Sequence, residues 1–318
     1  MKLFVFIQHE EGKINSVSLE ALQGAHDIAE KSGGTISAIT FNSKIVEQLS
    51  GYNLNEILVI ENQQLENYNP LIYVKAMEDV LAATSQYILL LGHSYEARDW
   101  VPRLSARLDI PFISDCIGFK YDMGLTLVRS VYQGKFNEEI STDSGAFIVS
   151  FQSGAFKSDA LKPGSASVRD ISVDLTNVPN SIQPGEKFQE LESSVDLSQA
   201  DVIVAVGRGI GKEENLSMAR ELATALKAEL ASSRPVVDSG WLEPFHQVGS
   251  SGQNVSPKLY LALGISGAIQ HVVGMNNSKN IVVINKDVNA PIFEIADYGI
   301  VGDIFEIVPK LIAAIQNS

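Results

Sequence analysis

Apolar positions in the first half of the chain come in short runs, separated by longer stretches with helical spacing. Leu3–Gln8 is a strand-like run. Leu19, Leu22, Ala25, Ile28 and Ala29 then recur on one face of a helix that Gly33-Gly34 ends. Thr35–Phe41 and Ile57–Ile60 read as strands, Pro70–Thr84 as a helix and Tyr87–Leu91 as a buried strand. Arg98–Leu108 reads as a short basic helix with Pro102 near its first turn, where proline is tolerated. Strands alternating with helices imply right-handed crossovers and a mostly parallel sheet covered on both faces.

From about Gly118 to Phe156 the pattern changes. Leu125–Tyr132 and Ala146–Gln152, separated by glycine and polar turns, read as antiparallel strands added to that sheet. A looser polar stretch follows, with Pro163, Pro179 and Pro184-Gly185. A domain boundary is expected near its end, at about residues 188–195, giving an N-terminal domain over 1–190 and a C-terminal one over 191–318.

In the C-terminal part the strand Val202–Val206 turns through Gly207-Arg208-Gly209-Ile210-Gly211 into the helix Glu214–Leu226. Tyr260–Leu263 is capped by Gly264-Ile265-Ser266-Gly267 and a helix from Ala268. Ile281–Ile284 ends at Asn285-Lys286-Asp287, and Tyr298–Val301 passes through Gly302-Asp303 into the helix Ile304–Ile315. The expected fold is α/β, with two domains, each a mostly parallel sheet flanked by helices.

Composition narrows the function. Hydrophobic residues make up 45% of the 318 and charged residues 19%, enough apolar material for more than one core. A formal net charge of -14 argues against a nucleic-acid groove, which needs a basic face. Cys116 is the sole cysteine, so no internal disulfide forms, and the five histidines show no metal-ligand spacing. The apolar run Leu3–Ile7 is too short for a signal peptide and meets His9-Glu10-Glu11 without a small-residue cleavage site. No apolar stretch approaches the roughly 20 residues of a membrane helix. A cytoplasmic protein without membrane insertion is expected.

Glycine and polar residues of the C-terminal part collect just after predicted strands, at the carboxyl edge of a parallel sheet, where open α/β folds bind ligands. Glycine permits close backbone approach and free amides at a helix start attract phosphate, so a phosphorylated ligand is expected. Singly, each piece has a structural alternative. Gly207-Arg208-Gly209-Ile210-Gly211 lacks the last glycine spacing of the dinucleotide fingerprint and is equally a tight turn. Ser232-Ser233-Arg234-Pro235 is equally a surface turn, His271 a helix-closing residue, and Asn285 and Asp303 helix caps. No nucleophile, general base or metal set stands out.

Together the blocks resemble the electron transfer flavoprotein alpha subunit. The resemblance rests on Leu259–His271, on Ile284-Asn285-Lys286-Asp287 and on Ala290-Pro291-Ile292-Phe293. It continues through Ala296–Asp303, with Gly207-Arg208-Gly209 and Ser233-Arg234 in order before them. Similarity is dense from about Ala205 to Pro309 and looser upstream, where Arg103 and Ile113-Ser114-Asp115 occupy familiar places.

The resemblance implies a Rossmann/flavodoxin-like C-terminal domain holding one FAD per heterodimer, and an N-terminal domain packing with a beta subunit that carries AMP. It implies electron transfer without substrate conversion, from acyl-CoA or other flavoprotein dehydrogenases to a membrane electron transfer flavoprotein-quinone oxidoreductase. Alternatives are a bifurcating or nitrogen-fixation-linked complex oxidising NADH, and an adenine-nucleotide sensor without redox activity. Carried over by position, Arg208 and Ser233 stand near the pyrophosphate. Ser266, Gly267, Ala268, Ile269, Gln270 and His271 lie along the cofactor. Asn285 and Asp303 belong to the adenosine end, and Ile304 is a further cofactor-binding position.

Arg234, Ser251 and His271, with Val248, Gly249 and Ser250, surround the isoalloxazine ring, His271 towards its pyrimidine carbonyl. A cationic or donating group there stabilises the negative charge that reduction brings. The family commonly reads Gly-Gln-Thr-Gly-Lys where this chain has Gly249-Ser250-Ser251-Gly252-Gln253. If the missing lysine contributes to the field, a lower flavin potential or a less stable semiquinone is expected.

Overall fold

The computed structural model describes residues 1–10, 12–132, 134–179, 181–185, 197 and 200–316. They form two compact units, Met1–Ser130 with Asn137–Lys187, and Val131–Phe136 with Phe188–Ser318. The boundary expected at 188–195 lies almost entirely outside the described residues.

The first unit opens with β1 (Lys2–Phe6) and a small hairpin, β2 (His9–Glu10) with β3 (Lys13–Ile14). Then come α1 (Ser16–Ser32), β4 (Thr35–Thr40), α2 (Val46–Ser50), β5 (Glu56–Val59), α3 (Pro70–Leu81) and β6 (Tyr87–Gly92). After α4 (Tyr95–Leu108) follow β7 (Phe112–Tyr121), β8 (Leu125–Val131), β9 (Phe136–Ile140), β10 (Ala146–Phe151) and β11 (Ser167–Asp170). One sheet takes nine of these strands in the order β11-β5-β4-β1-β6-β10-β7-β8-β9.

Period-2 alternation explains how this sheet is covered. Phe4 and Phe6 face one core with Tyr73 and Met77 of α3 and Trp100 and Leu104 of α4. Leu3 and Val5 face the other, with Ala21, Leu22, Ala25 and Ile28 of α1. Local signals set the helix ends. Asn15 accepts from the Val17 N–H to start α1, and Gly33, at φ 68°, closes it. Asn69 and Pro70 do the same at the start of α3.

One sequence expectation fails here. β8 runs antiparallel to β7 as expected, but β10 is parallel to both β6 and β7 and lies between them. Phe147, Ile148, Val149 and Phe151 are all buried, the continuous apolar run of a strand covered on both faces rather than of an added hairpin. The edge strand β11 sits in the stretch read as loose and polar, because all four of its residues are exposed and carry no burial signal.

The second unit contains β12 (Val202–Val206), α5 (Leu216–Leu226), β13 (Glu229–Ser232), the short α6 (Arg234–Asp238) and β14 (Leu259–Leu263). It continues with α7 (Ile269–Val272), β15 (Ile281–Asn285), β16 (Tyr298–Val301) and α8 (Ile304–Gln316). Its five strands are all parallel, in the order β13-β12-β14-β15-β16. This is the flavodoxin-like order, in which the chain reverses direction across the sheet between β12 and β14. Helices α5 and α8 pack on one face over Val204, Val206, Leu261 and Leu263. Val248, Ile265, Met275 and Ile292 cover the other face.

A buried carboxyl in the first unit couples stability to pH. Glu20 of α1 is 6% exposed, and its Oε2 accepts the Gly154 N–H at 2.6 Å. Burial pushes this carboxyl up from its ordinary 4.5 to about 7, against the opposing pull of that hydrogen bond. The folded chain therefore holds a proton between pH 4.5 and 7 that the unfolded chain has released. This contribution is complete below about pH 4.5 and falls away as pH rises to about 7, by up to ~3 kcal/mol. Glu20→Gln should flatten that slope, measured as urea unfolding midpoints at pH 5 and pH 7.5. An unchanged slope would refute the assignment.

Candidate functional site

The crevice begins where two strand-end loops touch. After β12 the Gly207 N–H donates to the Leu263 carbonyl at 2.8 Å, and the Gly209 N–H donates to the Gly264 carbonyl at 3.0 Å. A Cβ on Gly207 would stand 2.3 Å from the Gly264 oxygen, and one on Gly209 would stand 2.7 Å from the Gly264 Cα. Gly264 itself sits at φ +59°. No side chain fits at any of the three positions. The glycines that resemble a dinucleotide fingerprint thus serve first to press two loops together at the point where strand order reverses. Only Gly209 and Gly264 of the three also reach the cleft wall.

Above this contact lies a cleft of about 690 Å³, inside the range of small-molecule and cofactor sites. It gathers twelve of the sixteen residues assigned from sequence. Arg208 comes from the turn after β12, and Ser233 and Arg234 from the junction of β13 with α6. Val248, Gly249, Ser250 and Ser251 come from one loop. Ser266, Ala268, Gln270 and His271 follow β14, and Asn285 ends β15. Backbone bonds hold the walls: Val248 N–H donates to Ser232 O at 3.0 Å and Ser250 N–H to Gln270 O at 2.7 Å.

The other four are placed elsewhere. Gly267, at φ +89°, makes the turn against Ile292, where a Cβ would meet the Ile292 nitrogen at 2.4 Å. Ile269 is 47% exposed and does not line the cleft. Asp303 accepts the Phe305 N–H at 2.9 Å and so caps α8, and Ile304 is buried in the core beneath that helix. Neither of these last two lines the cleft. The cleft instead takes in Ile265, Lys286, Asp287 and Ala290, all adjacent to or within the resembling blocks. It also takes in Pro235, from the Ser232-Ser233-Arg234-Pro235 run, and Asp238 and Gln247, which no motif marks. Asp238 was findable in principle, lying one helical turn after Arg234. The two pair at 3.3 Å with both side chains more than half exposed.

Several polar groups that resemble ligands are engaged by the protein. Asn285 donates to the Ile265 carbonyl at 2.8 Å and accepts the Asp287 N–H at 3.0 Å, tying the loops after β14 and β15 together. Gln247 donates to the Ser251 hydroxyl at 2.9 Å, leaving that hydroxyl its own proton to give. Gln253 does not line the cleft. It accepts the Leu197 N–H at 3.1 Å and donates to the Phe245 carbonyl at 2.6 Å. The expected effect of a missing lysine charge on the site therefore loses its geometric basis.

His271 needs the largest correction. It lines the cleft but is only 5% exposed, with Nδ1 3.0 Å from the Val248 carbonyl and Nε2 3.0 Å from the Tyr260 hydroxyl. Burial brings its pKa down to about 4, against the pull of the Val248 carbonyl. At neutral pH it supplies no positive charge, and both nitrogens already have protein partners. The charges facing the cleft are Arg208, Arg234 and Lys286, with Asp238 and Asp287 opposed.

In the first unit, His93 Nδ1 lies 2.8 Å from Ser150 Oγ and Nε2 lies 3.9 Å from Asp115 Oδ1. Ser150 is fully buried and its Oγ accepts the Asp115 N–H at 3.1 Å, so the trio fastens strand ends and presents no nucleophile. Burial pushes the Cys116 thiol up to about 12, which keeps it unreactive. Among the described residues no group of three or more His, Cys, Asp or Glu is placed to hold a metal ion. None of their helices is long and apolar enough to cross a membrane.

A dinucleotide bearing phosphates fits what is present. Glycine lets the backbone approach closely at the cleft wall, three cations line it, and Ser233, Ser250, Ser251 and Ser266 add hydroxyls. Comparison with known proteins agrees. Residues 3–176 match the electron transfer flavoprotein domain family, and residues 196–276 match the electron transfer flavoprotein FAD-binding domain family. Protein FixB of Clostridium saccharobutylicum is 35% identical over 98% of this chain and 95% of its own length. The electron transfer flavoprotein subunit alpha of Thermoanaerobacterium thermosaccharolyticum is 36% identical over 99% and 98%. The LctC subunit of the Acetobacterium woodii lactate dehydrogenase (NAD(+),ferredoxin) is 32% identical over 98% and 76%. The chain belongs to the electron transfer flavoprotein alpha-subunit family.

Proposed function

We propose that the cleft holds one FAD per heterodimer with a beta subunit, and that the chain carries electrons between partner proteins without converting a substrate itself. The observation that supports this most is the convergence of twelve of the sixteen residues carried over from the resemblance on one crevice at the strand-order reversal. Arg208 and Ser233 would address the pyrophosphate. Ser266, Ala268 and Gln270 would run along the cofactor, with Asn285 and its neighbours Lys286 and Asp287 at the adenosine end. Arg234 and the Ser251 hydroxyl would face the ring. Bound FAD supplies the redox chemistry, and the protein supplies binding, orientation and field.

In the leading reading, flavoprotein dehydrogenases such as acyl-CoA dehydrogenases give electrons, and a membrane electron transfer flavoprotein-quinone oxidoreductase takes them. The first unit then packs with the beta subunit, which carries AMP, and the complex works in the cytoplasm. A second reading, a complex that oxidises NADH, is favoured by the NAD(+) and ferredoxin in the name of the LctC relative. A second flavin in the beta subunit, in place of AMP, would select it.

The decisive preparation is the full chain co-expressed with its candidate beta subunit. Flavin absorption bands that bleach when an acyl-CoA dehydrogenase and its substrate are added are expected, and a colourless complex after FAD addition refutes the proposal.

The exposed pair Arg234 and Asp238 should tune the bound cofactor in opposite directions. Arg234→Ala should lower the one-electron potential by about 20–60 mV and Asp238→Asn should raise it by less, since solvent screens both. Potentiometric titrations showing shifts of the same sign would contradict this. Gln253→Lys should cost about 1–3 kcal/mol in unfolding free energy, by unpairing the Leu197 N–H and Phe245 carbonyl. The same variant should leave the potential within the error of the titration.

A further inference from the structure

Among the described residues, His271 is the one titratable side chain of the cleft that is buried. Its hydrogen bonds determine where its protons are. A carbonyl only accepts, so the nitrogen 3.0 Å from the Val248 oxygen, Nδ1, carries a hydrogen. In the uncharged ring Nε2 then offers only a lone pair, and the Tyr260 hydroxyl 3.0 Å away donates to it. Tyr260 is fully buried on β14, with its ring centroid 6.1 Å from that of the imidazole. Among the described residues His271 Nε2 is that hydroxyl's hydrogen-bond partner.

We propose that Tyr260 is a positioning residue of the cofactor site: its hydroxyl holds His271 in the Nδ1–H form. The ring then fastens Val248 to β14 and offers the cleft neither a nitrogen donor nor a titrating charge. A proton added at Nε2 would force the hydroxyl to turn, leaving its own hydrogen without an acceptor in a site that water does not reach. The field in the cleft is left to Arg208 after β12, Arg234 and Asp238 on α6, and Lys286 and Asp287 after β15. Tyr260 is the ionisable group that touches His271 from the sheet, and burial raises its own pKa, so it stays a neutral donor. The consequence for the cofactor rests on the FAD reading above, whereas the proton positions belong to the chain alone.

The test uses the heterodimer with FAD and again after FAD removal, with histidine ring nitrogens followed by 15N NMR from pH 5 to 9. Wild type should show His271 as the neutral Nδ1–H tautomer throughout in both preparations, with a slowly exchanging hydroxyl proton beside the ring. A His271 that titrates near 6.5, or carries its hydrogen on Nε2, overturns the proposal. In Tyr260→Phe the ring loses the donor to Nε2, so the Nε2 15N resonance should move toward that of an unbonded lone pair and the fraction carrying its hydrogen on Nε2 should rise. A Tyr260→Phe protein that is merely less stable, with the wild-type Nε2 shift and tautomer, also overturns it. If that variant does not fold, the wild-type spectra decide. A complex without flavin bands refutes the FAD reading, while the FAD-free spectra still decide on Tyr260.

Discussion

The backbone of the turn after β12 lies directly against the backbone of the turn after β14, with Gly209 and Gly264 so close that neither can carry a side chain. That contact constrains the whole second unit. It draws together the two strand ends between which the parallel sheet changes direction. All the other walls of the cleft are then built outward from it. Arg208 sits between Gly207 and Gly209, and Ser266 follows two residues after Gly264. The same arrangement recurs at the next wall, where a Cβ on Gly249, at φ +140°, would stand 2.5 Å from the Gln270 carbonyl oxygen. A cleft made by backbone contacts is largely formed before any ligand arrives, which lowers the ordering cost of binding.

A second layer of fastening comes from polar side chains. Asn285, Gln253 and His271 each bond two backbone or side-chain groups belonging to different loops. Buried polar groups that are fully paired specify one arrangement of the loops that carry them, and removing a partner leaves an unpaired group at substantial cost. These residues resemble ligands when seen along the chain because they occur after strands, in the places where ligand contacts occur. The groups left to meet a ligand are chiefly the exposed ones: the guanidinium groups, Lys286 and the hydroxyls of Ser250, Ser251 and Ser266. The electrostatic character of the site is therefore set by charges at its rim, while its shape is set by hydrogen bonds beneath.

The first unit shows the same division between pattern and context. Its sheet is buried on both faces over β1, β4, β6 and β10, and alternate residues of β1 enter different cores. Such strands are nearly continuous apolar runs, and a run of that kind carries no record of its direction or its neighbours. β10 is the example. Its sequence marked it as a strand, but its place between β6 and β7 follows from the chain returning across the sheet to fill a slot buried on both sides.

The amino-acid sequence determined the strand–helix alternation, the two-domain character and the helix caps at Asn15 and Asn69, because these depend on residues close together in the chain. It also marked the twelve assigned residues that reach the cleft, since they occur in blocks just after strands and resemble a family. Tertiary structure alone decided the direction of β10, the existence of the exposed edge strand β11, and the roles of Asp303, Ile304 and Gln253. It alone made Asp238 and Gln247 part of the cleft and gave His271 its two partners, Val248 and Tyr260. Each of these depends on which distant group lies within about 3 Å of a side chain, and that distance is set by packing rather than by spacing along the chain.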